Sequence, residues 1–303
     1  MGRKTKDSGI DGLLVVDKPA GWTSHDVVAK CRGVFGQKRA GHSGTLDPDA
    51  TGVLLIGFGH VTKVLSLLTI LPKTYTGEVV LGAETSTLDS SGDVLRTYDM
   101  GSVTFDDVQE AAATFVGDIL QIPPMVSAVQ VGGVRLHELA RQGIEIERAA
   151  RPVTVYRYDV LAEVEPGVFS VIVECSSGTY VRTLAADVGT ALGGGAHLRN
   201  LRRTAIGSFI ATEGVAVNEH LGEARMLSST EALRDYPAVV VNEDTAVFVR
   251  NGRVLPLDVF ANPTDGFDDR PWAVLDDAGA LLAVYQRHHA DTAKPLVVLP
   301  VRD

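Results

Sequence analysis

The sequence predicts an α+β protein with a separate β-rich C-terminal domain, and three observations carry that prediction. Apolar residues at helical spacing alternate along most of the chain with short β-rich runs. Two long strand-like segments, 153–164 and 168–175, follow one another with Pro166-Gly167 between them. Beyond Tyr236-Pro237, short β-rich runs are broken by polar turns, the pattern of a small barrel. A chain of 303 residues is long enough for two domains and one sizeable core.

Residues 12–17, Gly-Leu-Leu-Val-Val-Asp, read as a short strand ended by the turn Lys18-Pro19-Ala20-Gly21. Ser24 is a candidate cap for a helix in which Val27, Val28, Cys31, Val34 and Phe35 recur until Gly36. The apolar run 53–59 reads as a buried strand, 60–69 as a short helix, and 73–82 as another strand. A helix from about Asp106 puts Val108, Ala111, Ala112 and Phe115 on one side. In the second long strand Phe169, Val171, Val173 and Cys175 alternate as one apolar face. A helix capped by Gly178 or Thr179 then runs to about Leu192. Residues 208–235 read as helical connector, with Ser229 or Thr230 as a cap for 231–235. The domains divide there, at 1–235 and 236–303, and runs 238–241, 273–275, 281–285 and 296–301 supply the last strands.

Hydrophobic residues make up 45% and charged residues 22%, the balance of a soluble globular protein. No apolar run reaches the ~18 residues of a membrane span, and the N-terminus lacks a signal-peptide core, so a cytoplasmic protein is expected. Cys31 and Cys175 lie in apolar surroundings without partners at metal-ligand spacing and read as buried free thiols. A net charge of −10 argues against a nonspecific nucleic-acid coat protein. The charge is uneven, however. Residues 88–118 hold seven acids against Arg96 alone, whereas cations gather at Lys38-Arg39, at Arg135, Arg141, Arg148 and Arg151, and at Arg199, Arg202 and Arg203. Local basic surface is what phosphate contact needs.

The chemistry centres on Gly41-His42-Ser43-Gly44-Thr45-Leu46-Asp47-Pro48-Asp49-Ala50-Thr51-Gly52. Glycines give this loop tight geometry, and Pro48 fixes its own φ while biasing Asp47 toward an extended conformation. The loop presents a carboxylate beside an imidazole at the start of an apolar strand. Asp before Pro is also a common turn former, so the loop alone decides nothing.

The whole string resembles the catalytic loop of TruB-type tRNA pseudouridine synthases, Gly-His-x-Gly-Thr-Leu-Asp-Pro-x-Ala-x-Gly, and every specified position is met. Asp49 falls at a free position. Further segments resemble the same family in order: the opening Leu-Leu-Val-Val-Asp-Lys-Pro-x-Gly-x-Thr-Ser, Lys73-Thr74-Tyr75, Pro123-Pro124 through Ser127-Ala128, Gly178-Thr179-Tyr180-Val181-Arg182-Thr183-Leu184, and Gly195-Ala196-His197-Leu198 through Leu201-Arg202-Arg203. The resemblance covers about residues 11–210. Gln130 and His137 depart from it, standing where the family usually has Lys and Tyr.

The resemblance implies a mixed, largely antiparallel β-sheet catalytic domain with flanking helices, and a C-terminal PUA-like RNA-binding module. It implies isomerisation of uridine 55 in the tRNA T loop to pseudouridine, by a monomer with no protein partner, metal or organic cofactor. By the same resemblance Asp47 is the essential catalytic residue, Arg182 its salt-bridge partner, and Tyr75 the ring that stacks on the extruded base. His42 fills the vacated space, and Leu201 contacts the base. Tyr75 or Tyr180 is the candidate base for the last deprotonation. The segment 124–152, with its glycines and arginines around a short helix at 135–141, is expected to grip the RNA stem-loop. Arg135, Arg141, Arg148, Arg151 and Arg202 are the candidate RNA contacts. Ten acids against six bases in residues 238–303 put strong RNA contact by the C-terminal module in question. A noncatalytic RNA-binding module and a nucleoside glycosidase remain as alternatives, the second because N1–C1′ scission is shared.

Overall fold

The computed structural model describes residues 9–127, 130–131, 134–135, 144, 146–260 and 270–300. In chain order its elements begin with β1 (Gly12–Lys18), α1 (Ser24–Phe35), β2 (Ala40–His42), β3 (Thr51–Phe58), α2 (Leu65–Ile70) and β4 (Lys73–Leu81). Next come β5 (Ala83–Thr85), β6 (Val94–Thr97), α3 (Phe105–Ala113), β7 (Gly117–Gln121), β8 (Gln130–Val131) and β9 (Val134–Arg135). The larger sheet closes with β10 (Arg151–Glu165), β11 (Val168–Cys175), α4 (Val181–Ala191), β12 (Ala196–Ile206), β13 (Phe209–Ile210) and β14 (Val215–Ala216). The C-terminal part holds β15 (Ala238–Val240), α5 (Glu243–Arg250), β16 (Leu255–Pro256), β17 (Trp272–Leu275), β18 (Leu281–His289) and β19 (Thr292–Val298).

A ten-stranded mixed sheet runs β14-β1-β3-β12-β4-β11-β10-β7, with β2 paired to β3 and β13 to β12. Only the β1–β14 and β3–β12 pairs are parallel. The apolar pattern of each strand follows the number of faces that are covered. β1 and β3 are buried on both sides: Leu13, Val15, Val53 and Leu55 enter one cluster, and Leu14, Val16, Leu54 and Ile56 another. That is why 53–58 is a continuous apolar run. β4 and β11 are covered on one side only, by α3 and α4, so Tyr75, Val79, Phe169, Val171 and Val173 alternate inward. Cys31 and Cys175 are buried free thiols, as the sequence predicts.

The five-stranded C-terminal sheet, β15-β17-β18-β19-β16, encloses Trp272, Phe260 and Tyr285. Its other face joins the main sheet: Ala273, Leu281, Val284 and Leu299 share a core with Leu13, Val61 and Leu65.

Several local expectations need correction. The cap of α1 is Thr23, not Ser24, in a reciprocal capping box with Asp26. This leaves the Ser24 hydroxyl free to hold the loop that carries Asp47. Segment 60–69 is divided into a 3-10 turn, Gly59–Val64, and the short α2. α4 starts at Tyr180 with no side-chain cap, so neither Gly178 nor Thr179 serves. Residues 208–235 hold short 3-10 turns and two brief strands, β13 and β14, in place of a helical connector. Ser228, one residue earlier than expected, bonds reciprocally with Glu231. The pattern also missed α5, whose eight residues begin at the Asn242 cap. The expected helix at 135–141 lies outside the described residues after Arg135.

Candidate active site

The loop that carries Asp47 connects the antiparallel strands β2 and β3, and three buried polar side chains from elsewhere hold it. The Ser24 hydroxyl accepts from Leu46 N at 2.9 Å and donates to Leu46 O at 3.3 Å. The Lys18 ammonium, fully buried, donates to the carbonyls of Pro19, Trp22 and Pro48 at 2.7–2.9 Å. The Arg203 guanidinium, 1% exposed, donates to Val53 O at 2.8 Å, Gly44 O at 3.1 Å and Thr45 O at 3.5 Å. Within the loop Ala50 N donates to Asp47 O at 3.2 Å. Gly52 has φ +104°, and a Cβ there would meet Arg203 O at 2.1 Å, so the loop exit requires glycine.

Asp47 is thereby fixed at the wall of a cleft shared with Tyr75, Tyr180, Arg182, Leu201, Arg203 and Lys73. Arg182, from the first turn of α4, pairs with Asp47 at two atoms: Nη2 donates to Oδ1 at 3.3 Å, and Nε stands 3.1 Å from Oδ2 as an ion pair. Its other donors reach Val126 O at 3.0 Å, Thr87 O at 3.0 Å and Asp89 Oδ2 at 3.4 Å. The four N–H groups of the two terminal nitrogens are thus all used in hydrogen bonds. Asp89 is in turn fixed by Thr87 and Ser91, whose hydroxyls donate to Oδ1 at 2.6 Å. Burial raises the Asp47 pKa, Arg182 opposes that rise, and Asp89 adds to it.

Tyr75 is 9% exposed and lies on β4 opposite Arg203 of β12. Burial raises the Tyr75 pKa, which keeps it a neutral phenol. Gln121 holds Tyr180 by its backbone, accepting from Tyr180 N at 2.7 Å and donating to its carbonyl at 3.1 Å. Leu201 reaches the cleft because β12 is irregular between Arg199 and Arg202, with Asn200 at φ +54°. His42 stands beside the loop in β2, its ring edge-on to His25 at 5.2 Å. Burial first, then His25 and Arg203, push its pKa down to about 4, so the imidazole is neutral.

Structure thus brings Asp47, Arg182, Tyr75, Tyr180 and Leu201 to one cleft, with His42 at its loop. The expected basic surface is less uniform. Arg202 is forked onto Asp17 at 2.8 and 3.0 Å. Arg148 donates to Pro123 O at 3.1 Å, and Arg151 is exposed at the start of β10. Arg135 lies in β9, its side chain undescribed, and Arg141 and His137 fall outside the described residues. Sequence reasoning missed Asp89, Lys18, Arg203 and Lys73 as parts of the site. Lys18 sits in the Lys-Pro-x-Gly opening, and Asp89 was visible only as one of seven acids. Among the described residues no group of three or more His, Cys, Asp or Glu side chains could hold a metal, and no helix is long and apolar enough to cross a membrane.

Residues 32–181 match the model of the TruB family pseudouridylate synthase N-terminal domain. Residues 182–247 match that of the tRNA pseudouridylate synthase B C-terminal domain. The chain is 47% identical over 251 residues to tRNA pseudouridine synthase B of Nocardia farcinica, covering 81% of this chain and 82% of the relative. The Rhodococcus jostii protein of the same name is 42% identical over 308 residues, 98% of both chains. Among solved structures, a chain of a Cbf5-Nop10-Gar1 complex superposes with a TM-score of 0.73 at 25% identity, over 95% of this chain and 85% of that one. With an aspartate paired with arginine beside a buried tyrosine, and relatives matched over 82% and 98% of their length, the chain belongs to the TruB family of pseudouridylate synthases.

Proposed function

We propose that the protein isomerises uridine 55 in the T loop of tRNA to pseudouridine, with residues 1–235 as the catalytic domain and 236–303 as an accessory module. The observation that carries this reading is the close Arg182–Asp47 ion pair at a cleft lined by Tyr75 and Leu201. The relatives named tRNA pseudouridine synthase B support tRNA as the substrate.

A uridine stacked in a folded loop must be extruded before its glycosidic bond is reached, at a cost of a few kcal/mol. Tyr75 offers a ring face to the flipped base, and Leu201 bounds the opposite side. Neutral His42 suits the space that the base vacates, because an uncharged ring avoids the far larger penalty of desolvating a charge. Asp47, oriented by Arg182, which favours its carboxylate form, acts on the ribose or the base. The N1–C1′ bond breaks, the uracil turns, C5 joins C1′, the C5 proton leaves and N1 takes up a proton. A phenol as strongly protonated as Tyr75 suits stacking better than proton removal, which leaves Tyr180 as the other candidate for that last step. Exposed Arg151, with Arg148 nearby in sequence, is placed to meet the RNA backbone.

The test is tritium release from tRNA labelled at uracil C5, with mapping of the modified nucleotide. Release with pseudouridine at position 55 is expected. Free uracil would indicate a glycosidase, and binding without release would indicate a noncatalytic RNA-binding module.

A further inference from the structure

Lys73 opens β4 two residues before Tyr75, so strand alternation puts both side chains on the cleft side of the sheet. Lys73 is 5% exposed, and its ammonium donates to the carbonyls of Thr69 and Leu71. An ammonium has three N–H groups. The third has no protein acceptor among the described residues, and no carboxylate there pairs with Lys73. The titratable groups nearest to it are Arg203 and Cys175, which neighbour it on β12 and β11. Burial lowers its pKa to about 8, so it is still a cation at neutral pH.

Arg203 repeats the pattern, with carbonyl partners and no ion pair among the described residues. The back of the cleft therefore holds positive charge without a counter-charge, whereas Asp47 at its wall is already matched by Arg182. Desolvated cations without partners are costly to keep. Fixed charge of this kind is most effective where negative charge appears only during the reaction.

On the reading proposed above, such charge does appear. Asp47 has three routes open: attack on C1′, attack on C6, or removal of the C2′ proton. By each of them, scission of N1–C1′ leaves the bonding electron pair on the base. The base carries that charge over N1, O2 and O4 until the pair forms the C5–C1′ bond; the C5 proton then departs and N1 takes one up. We infer that Lys73 is a catalytic residue, whose third N–H donates to a carbonyl oxygen of the uracil and stabilises the base as the departing anion.

The test compares N1–C1′ cleavage in single turnovers of full-length wild-type, Lys73→Met and Lys73→Gln proteins on tRNA carrying uridine or 5-fluorouridine at the target position. Lys73→Gln retains an amide that can donate to Thr69 and Leu71, which guards against loss of the fold. Fluorine withdraws electrons and stabilises the same anion without help from the protein. With uridine, both variants should lose about 10²-fold in rate, the loss typical of one transition-state donor. With 5-fluorouridine the loss should shrink to about tenfold or less, and tRNA affinity should stay at the wild-type value. An equal loss on both substrates, or none, overturns the role of Lys73. Wild-type protein that leaves uridine tRNA unconverted overturns instead the reading on which this inference rests.

Discussion

Arg182→Met removes five N–H donors at once from a side chain that is 5% exposed. The acceptors left behind are the carboxylates of Asp47 and Asp89 and the carbonyls of Thr87 and Val126. Removing one partner of a buried ion pair costs about 3–5 kcal/mol. Asp47 is 39% exposed and Asp89 21%, so solvent screening puts the loss at the lower end. About 3 kcal/mol corresponds to roughly 150-fold in rate. Arg182→Lys keeps the charge but not the planar fork and should fall between Met and wild type. The pH dependence supplies a second signature. Asp47 acts as a carboxylate, so the rate rises with pH through its pKa. Burial raises that pKa and Arg182 is the largest influence opposing it, so loss of the guanidinium moves the acid limb to higher pH. The variant should therefore recover part of its deficit as pH increases. The assay is the single-turnover rate at saturating tRNA across pH, with affinity measured separately. A Met variant at the wild-type rate, or with an unmoved acid limb, refutes the dependence of Asp47 on Arg182.

Asp47→Asn should abolish turnover yet bind tRNA within about tenfold of wild type, or ~1.4 kcal/mol, and pseudouridine formation by a verified Asn protein would end the assignment. Tyr75→Phe should keep tRNA affinity and Tyr75→Leu lose about 1–3 kcal/mol, whereas equal binding by the two would discard stacking. Gly52→Ala combines φ +104° with a contact at 2.1 Å to a backbone oxygen, and should destabilise the fold. The expected loss is at least about 2–3 kcal/mol in urea unfolding, and an unchanged midpoint would contradict it. Lys18→Met strands three part-buried carbonyls, including that of Pro48 in the Asp47 loop. It should lose about 2–4 kcal/mol of stability, and a variant as stable as wild type would mean that the loop is held by its other anchors.

The candidate residues that share the cleft were legible in the sequence because their motifs are written locally. Asp47 lies in a twelve-residue string, Tyr75 and Arg182 in shorter ones, and each element around them has a period that matches the number of its covered faces. The apparatus that holds them was not legible, because it is assembled across long separations. Arg203 reaches Gly44 over 159 positions and Arg182 reaches Thr87 over 95. Nothing local marks the Asp89 carboxylate as different from its six acidic neighbours. The same reason explains the reversed roles of Thr23 and Ser24: either hydroxyl can cap a helix, and only the position of Leu46 decides which one does.

Leu201 shows where pattern reading stops even within one strand. By composition it is a core residue, and strict alternation along β12 would assign its face by counting from Leu198. The register slips between Arg199 and Arg202, and Asn200 takes a left-handed φ of +54°, so the count fails at that step. An inserted residue inverts the facing of the later positions in its strand, and Arg203 thereby lies opposite Tyr75. Arg203 can then bond the carbonyls of the Asp47 loop from the strand beside Tyr75. One irregular step in a strand thus brings Leu201, Tyr75 and the anchor of the Asp47 loop to a single cleft. A period-two pattern contains no signal for that step, because the signal is an exception to the period.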